Sequence, residues 1–204
     1  VGGCTAGRAG TARPQVAGVL LAAGSGARFG TPKALVDTGS GPWVLTTLAS
    51  MSGCPEVVVV LGAQADQVEA LLPTGAGAPI VLTNPDHRKG MGSSLSVGLS
   101  VLTERAADAA LIMLVDLPDV TAAVLDRVIA TFAASDVPTR LLARAAYNGR
   151  PGHPVLIGRE HFADVIAAAA GDSGARDYLA DHEVLLVECG DIGGGRDVDT
   201  PAQL

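Results

Sequence analysis

The chain has 204 residues, enough for one domain with a sizeable core. Its formal net charge is −7, which argues against a general nucleic-acid binder, because such proteins need a basic face to neutralise phosphates. Aromatic residues make up 3% and Ala, Gly, Leu and Val dominate, which favours the closely spaced layers of an α/β protein over an aromatic-rich sandwich.

Residues 1–14 are rich in Gly, Ala, Thr and Arg and carry no apolar stretch of the secretory kind. They read as a disordered N-terminal extension, leaving 15–204 as the folded domain. No apolar run approaches the ~18 residues a membrane span needs. Cys4, Cys54 and Cys189 form no Cys-x-x-Cys pattern. They read as free thiols of a reducing compartment, so the expected location is cytoplasmic.

Gln15–Ala23 is a continuous apolar run and predicts a first strand. Trp43–Met51 has helical spacing. Glu56–Gly62 is a β-branched run without alternation, the mark of a strand buried on both faces. Ala65–Leu72 predicts a short helix stopped by Pro73, and Pro79–Thr83 a short strand. Ser93–Leu102 predicts a helix with its N-cap near Gly92 or Ser93. Ala109–Val115 is another strong strand. Thr121 can cap a helix running through Phe132. Arg140–Tyr147 and His153–Ile157 predict strands joined by a turn over Asn148–Gly152, because Asn-Gly and Pro-Gly both punctuate. Glu160–Ala170 and Ala175–Asp181 read as helices, Glu183–Glu188 as a strand, and Asp197–Leu204 as a strand end entering a helix.

Strand–helix alternation implies βαβ crossovers and a mostly parallel sheet. The hairpin-like segment near 140–157 makes that sheet mixed. The expected fold is therefore α/β, a Rossmann-like three-layer α/β/α arrangement around a mostly parallel, mixed central sheet. In such folds ligands lie beyond the C-terminal ends of the strands.

The residues with chemical potential fall at those ends. After the first strand comes Gly24-Ser25-Gly26-Ala27-Arg28-Phe29-Gly30-Thr31-Pro32-Lys33. Its glycines allow sharp turns and close approach to an anion, and successive N–H groups can form a nest. Arg28 offers a planar fork and Lys33 a point charge. The spacing is neither the dinucleotide fingerprint nor a P-loop. On its glycines alone the loop also fits a plain strand–turn with surface charges. Asp116 ends the strand Ala109–Val115 and suits a hard cation such as Mg2+, bound by one or two carboxylates plus substrate phosphates; Asp116-Leu117-Pro118 also fits a simple turn. Asp199 lies in Asp199-Thr200-Pro201, which equally fits a helix cap.

Asn84 and the stretch Gly90-Met91-Gly92-Ser93-Ser94-Leu95 provide an amide, hydroxyls and a helix N-terminus for a base edge or ribose. Arg88 and Lys89 read as solvated cations. His153, in Gly152-His153-Pro154, is the one unusually placed histidine; His87, His161 and His182 lie in surface-like contexts. In Gly171-Asp172-Ser173-Gly174-Ala175-Arg176, Asp172 or Ser173 can cap a helix. Arg176 in its first turn opposes the helix dipole, so an anionic partner is expected. Gly193-Gly194-Gly195 predicts a pliable approach to Asp199.

Taken together these motifs resemble the MobA-like nucleotidyltransferase family over residues 16 to 204. The signature-like stretch is Leu21-Ala22-Ala23-Gly24-x-Gly26-x-Arg28-x-Gly30-x-Pro32-Lys33. Gly152-His153-Pro154, Gly171-Asp172-x-Gly174-Ala175-Arg176 and Asp199-Thr200-Pro201 look most like its molybdenum cofactor cytidylyltransferase branch. Ala22-Ala23-Gly24 likewise resembles CTP-using rather than guanylyl members. The resemblance implies transfer of CMP from CTP to the terminal phosphate of molybdopterin, with release of pyrophosphate. It implies that Arg28 and Lys33 hold the triphosphate. Leu21, Ala22, Ala23, Gly24, Gly26, Asn84, Ser93 and Ser94 would bind nucleotide, and Asp116 and Asp199 would hold Mg2+. His153 and Arg176 would face the pterin. Alternatives are GTP or a sugar phosphate as substrate, or a non-catalytic nucleotide-binding protein that partners a molybdoenzyme. A molybdoenzyme or chaperone is the expected macromolecular partner, and neither nucleic acid nor membrane is.

Overall fold

The computed structural model describes residues 15–203. The expected disordered extension 1–14, with Cys4, lies outside the described residues, as does Leu204. Seven strands form one sheet in the order β3-β2-β1-β4-β6-β5-β7. They are β1 (Val16–Ala22), β2 (Val57–Leu61), β3 (Ile80–Thr83), β4 (Ala109–Leu114), β5 (Leu142–Tyr147), β6 (Arg150–Gly158) and β7 (Leu185–Glu188). β1 pairs in parallel with β2 and β4, β2 with β3, and β5 with β7. β6 runs antiparallel to both β4 and β5.

The sheet is covered on both sides. On one face Leu20, Ala22, Val59, Leu61, Leu111 and Met113 pack with residues of helices α1 (Trp43–Ser50), α2 (Ala65–Glu69) and α4 (Ala122–Ala134). On the other, Val19, Leu21, Val58, Val60, Ala110 and Ile112 pack with α3 (Met91–Thr103), α5 (Phe162–Ala168) and α6 (Arg176–Ala180). The period of two explains both the absence of polar alternation in these strands and the three layers.

Strand order fixes where a ligand can enter. From β1 the chain steps outward to β2 and β3, then crosses back to β4 on the other side of β1. The loops after β1 and β4 therefore diverge at a topological switch point, the position where open α/β sheets bind ligands.

Several boundaries differ from expectation. The hairpin turn is only Asn148-Gly149, with φ of 53° and 75°, a pair of left-handed residues suited to a two-residue turn. β6 runs on through Pro151, whose missing N–H is accommodated where the β5–β6 register shifts. α3 begins at Met91 after Gly90, so Ser93 lies in its first turn; its hydroxyl donates back to Gly90 O at 2.8 Å instead of capping the helix. α6 is preceded by Ala175, and neither Asp172 nor Ser173 caps it through its side chain. Thr121 precedes α4, also without a side-chain cap bond. Among the described residues the C-terminal segment forms no strand; Val198 N donates to Asp116 O at 3.1 Å, and a short 3-10 turn follows at Pro201–Gln203.

Candidate active site

The loop after β1 is closed by Phe29 N and Gly30 N donating to Gly26 O, each at 2.8 Å. Gly26 has φ 61°, and a Cβ there would collide with Thr31 O. Phe29 packs edge-on against Trp43 at 5.8 Å, anchoring the loop to α1. Among the described residues, the N–H groups of Ser25, Gly26, Ala27 and Arg28 donate to no backbone or side-chain acceptor. Four consecutive backbone N–H groups without an internal acceptor, in a tight turn, leave donors for an anion.

At the base of this loop Lys33 Nζ donates to Asp116 Oδ2 at 2.7 Å and Asp199 Oδ1 at 2.8 Å. Arg28 Nη1 donates to Asp199 Oδ2 at 3.1 Å. Burial works against the Lys33 charge, but its hydrogen bonds to both carboxylates outweigh it and raise the ammonium above the usual lysine range. The same Lys33 contact, reinforced by Arg28, holds Asp199 below the usual carboxylate range. Two carboxylates from distant parts of the chain thus converge on one ammonium. The Gly193–Gly195 approach is closely packed: Cβ atoms there would strike Tyr147, Asp119 or Val124, and Asp199 pairs with Lys33 and Arg28.

These groups line one wall of a cleft of about 1100 Å³ at the strand C-termini. Leu21, Ala23, Gly24, Gly26, Arg28, Lys33, Ser94, Asp116 and Asp199 line it. Ala22 faces the opposite way, into the core beneath the sheet. Asn84 is buried at 1% exposure, and its amide is committed internally. Nδ2 donates to Ser93 Oγ at 2.9 Å and Ser94 Oγ at 3.0 Å, while Oδ1 accepts Asp86 N at 2.9 Å. Asn84 and Ser93 therefore brace the start of α3, and Ser94 carries that bracing to the cleft wall. Gly92 lets this helix approach the backbone at Ala170, with Gly92 N donating to Gly171 O at 2.8 Å.

The sequence reading missed Gly62, Ala63 and Gln64, which line the cleft after β2. The strand-end rule would have found them had it been applied to every strand. It also left His87 and Arg88 on the surface; both line the cleft, whereas Lys89 pairs outward with Asp86 at 2.9 Å. Among the described residues, no three or more His, Cys, Asp or Glu side chains group to hold a metal unaided. Asp116 and Asp199 suit an ion whose other ligands come from substrate phosphates.

His153 and Arg176 stand apart from this wall. Ile112 pairs with Val155 in the antiparallel β4–β6 ladder, and His153 lies two residues before Val155 on β6. Tyr147 Oη donates to His153 O at 2.8 Å. Burial, with the Arg144 and Arg176 guanidiniums beside it, pushes the half-buried imidazole down to about 4. Arg144 had drawn no attention in the sequence because it interrupts an otherwise small and apolar strand without a motif. Among the described residues, no helix is long and apolar enough to cross a membrane.

A model of the MobA-like NTP transferase domain matches residues 18–185. The nicotine blue oxidoreductase of Paenarthrobacter nicotinovorans is 36% identical over 203 residues, covering 94% of this chain and 95% of that protein. The crystal structure of Rv0371c from Mycobacterium tuberculosis H37Rv superimposes with a TM-score of 0.72 at 28% identity, covering 93% of this chain and 95% of its own. A structure of the same mycobacterial protein in complex with manganese gives a TM-score of 0.68 at 27% identity, covering 86% and 88%.

Proposed function

The chain belongs to the MobA-like NTP transferase domain family, and from that premise we propose that it transfers CMP from CTP to the terminal phosphate of molybdopterin, releasing pyrophosphate. The observation that carries this reading is the pairing of a free N–H nest at residues 25–28 with Lys33 held between Asp116 and Asp199. The nest and Arg28 receive the triphosphate. An acceptor phosphate oxygen forms the new bond to the α-phosphorus as the bond to pyrophosphate breaks. Charge builds on the leaving oxygens, and fixed donors aimed there lower the barrier. The attacking phosphate is already ionised, so no general base is required.

Asp116 and Asp199 would hold a divalent cation, Mg2+ in this reading, and the crystallisation of Rv0371c in complex with manganese supports a divalent ion. When bound, that ion supplies Lewis-acid polarisation of the phosphates. Lys33 occupies the ground between the carboxylates, so a cation held there would leave its ammonium available to the incoming phosphates.

A second reading comes from the oxidoreductase relative, whose likeness spans nearly the whole chain. In that reading the cleft serves oxidoreductase chemistry on a compound such as nicotine blue. Transfer of radiolabel from α-labelled CTP to molybdopterin with Mg2+ or Mn2+ tests the first reading. CMP incorporation supports it, and GMP incorporation from GTP instead would move it to the guanylyl class. Failure of both, with substrate-dependent oxidation of a nicotinamide cofactor, would replace it with the redox reading. Nucleotide binding without either turnover would leave a non-catalytic partner of a molybdoenzyme.

A further inference from the structure

On the β2–β3 side of the cleft, the polar groups the sequence points to are already engaged with one another. The Asn84 amide is bonded to Ser93, Ser94 and Asp86 N, and Ser93 Oγ donates to Gly90 O. A ligand on this side meets instead the 3-10 turn His87–Lys89 and the loop after β2, through His87 and Gln64. His87 is fixed in place and in tautomer. Its ring Nδ1 lies 3.2 Å from Asn84 O. A carbonyl can only accept, so Nδ1 carries the hydrogen and donates. In the neutral ring the lone pair then falls on Nε2, which has no partner among the described residues. The side chain is pressed over the end of β2. A Cβ on Gly62 would lie 2.6 Å from His87 Cβ and 2.6 Å from Ala23 O, the carbonyl at which the anion loop begins. Only a glycine at that position lets the ring come so close. Leu61 pairs with Ala22 across the β1–β2 ladder, so the ring stands about one strand spacing, roughly 5 Å, from the start of that loop.

We propose that His87 selects between pyrimidine bases: its Nε2 accepts a hydrogen bond from the exocyclic amino group of cytosine, so the cleft takes CTP and refuses UTP. The inference rests on the nucleotidyl-transfer reading, because it requires a nucleoside triphosphate whose phosphates take the β1 loop. At the edge where the two bases differ, cytosine presents an amino donor and a ring-nitrogen acceptor, whereas uracil presents a carbonyl acceptor and a ring N–H. An amide such as that of Gln64 can turn over and serve either pattern. An imidazole whose tautomer is held by Asn84 O cannot. The uracil carbonyl would face the Nε2 lone pair with no hydrogen between them, and both acceptors would be left unsatisfied.

The test is calorimetric titration of the full chain with CTP and with UTP, in Mg2+ at about pH 8.5, where free imidazole is neutral. The wild type is expected to bind CTP about tenfold or more tightly than UTP, the scale of one hydrogen bond made against one left unmade. The triphosphate of the pyrimidin-2-one riboside, cytidine without its amino group, should also bind about tenfold more weakly than CTP, a measurement that needs no variant. His87→Phe keeps a ring over Gly62 without the lone pair and should bring the CTP to UTP ratio close to one, mainly through lost CTP affinity. His87→Lys presents donors only and should turn the ratio in favour of UTP. Lys89→Gln, whose side chain pairs outward with Asp86, should leave the ratio unchanged. If His87 only braces the turn, its variants weaken both nucleotides alike and the ratio stands, which overturns the inference. Equal wild-type affinity for CTP and the amino-free analogue, or for CTP and UTP, overturns it as well. Absence of any nucleoside triphosphate binding defeats the nucleotidyl-transfer reading and this inference with it. CTP binding and transfer with a ratio indifferent to His87 defeat the inference alone.

Discussion

Two clusters of cations face the same end of the sheet, and they differ in how their charge is met. On the β1 side, Lys33 and Arg28 are matched by Asp116 and Asp199, so the unliganded wall is close to neutral. On the β6 side, Arg144 and Arg176 have no ion-pair partner among the described residues, and burial followed by their charges holds His153 low. The balanced cluster can admit a cation and a polyanion together, because each new charge finds an opposite one already in place. A site that must release a highly charged product benefits from the first arrangement, since the resident ion pairs re-form as the product leaves.

The sharpest break of this comparison is Asp116→Ala. It removes one carboxylate from the balanced side and half of the proposed cation site. Turnover should fall by about 10²–10³-fold, the scale of losing one charge-stabilising group in an active site. The melting midpoint should move little, because Lys33 keeps Asp199 and part-exposed pairs contribute ~1 kcal/mol or less. Near-normal turnover would remove Asp116 from the chemistry.

Lys33→Met should act in two directions. Without the ammonium between them, Asp116 and Asp199 should bind Mn2+ about tenfold more tightly in the absence of nucleotide, because no resident cation competes. CTP affinity should fall by a similar factor. Calorimetric titrations with Mn2+ alone and with CTP read these separately. If Mn2+ affinity falls along with CTP affinity, Lys33 supports the metal site instead of occupying it.

The unbalanced side should show itself in acid. His153 is held to about 4 in the fold, against an ordinary value near 6.5. The folded protein therefore binds fewer protons than the unfolded chain between those values, and stability falls as pH drops through that window. The contribution is fully present above about pH 6.5 and is lost on approaching pH 4; at most it is on the order of 3 kcal/mol. Denaturant midpoints measured across this range should fall for the wild type and flatten for His153→Gln. An equal slope in both would place the acid sensitivity elsewhere.

The β1 cluster was legible in the sequence because each of its parts sits at a strand end with a local signature: glycines for the loop, Asp-Leu-Pro for the carboxylate, Asp-Thr-Pro for the tail. What could not be read was the contact between them. Lys33 to Asp199 spans 166 positions and depends on the strand order that brings β1 beside β4. The central strands were equally plain, since a strand buried on both faces must be apolar throughout. The hairpin and the start of α3 were misjudged by a few residues, because Pro151 and Ser93 follow tertiary register and backbone packing over local preference. Arg144 was invisible: one cation in a small-residue strand carries no motif, and its half-buried place with Nε bonded to Gly152 O shows only in the fold.

The smallest effect should come from Arg28→Ala, and its size discriminates between roles. The Arg28 side chain is 78% exposed and its single partner, Asp199, is 40% exposed. Screening by solvent makes that pair worth ~1 kcal/mol or less, so the melting midpoint should hold within error. Asp199 also keeps its shorter bond to Lys33, so the cation site should survive. If Arg28 serves mainly as a phosphate fork at the loop tip, CTP affinity should weaken about three- to tenfold and ADP-like diphosphates should be affected less than triphosphates. If it serves instead to position Asp199, Mn2+ binding without nucleotide should suffer and CTP affinity should follow only through the metal. Because the nest of N–H groups at residues 25–28 remains in either case, a complete loss of nucleotide binding on removing this exposed side chain would mean that the loop depends on Arg28 for its shape, and the backbone cradle would lose its place as the primary anion contact.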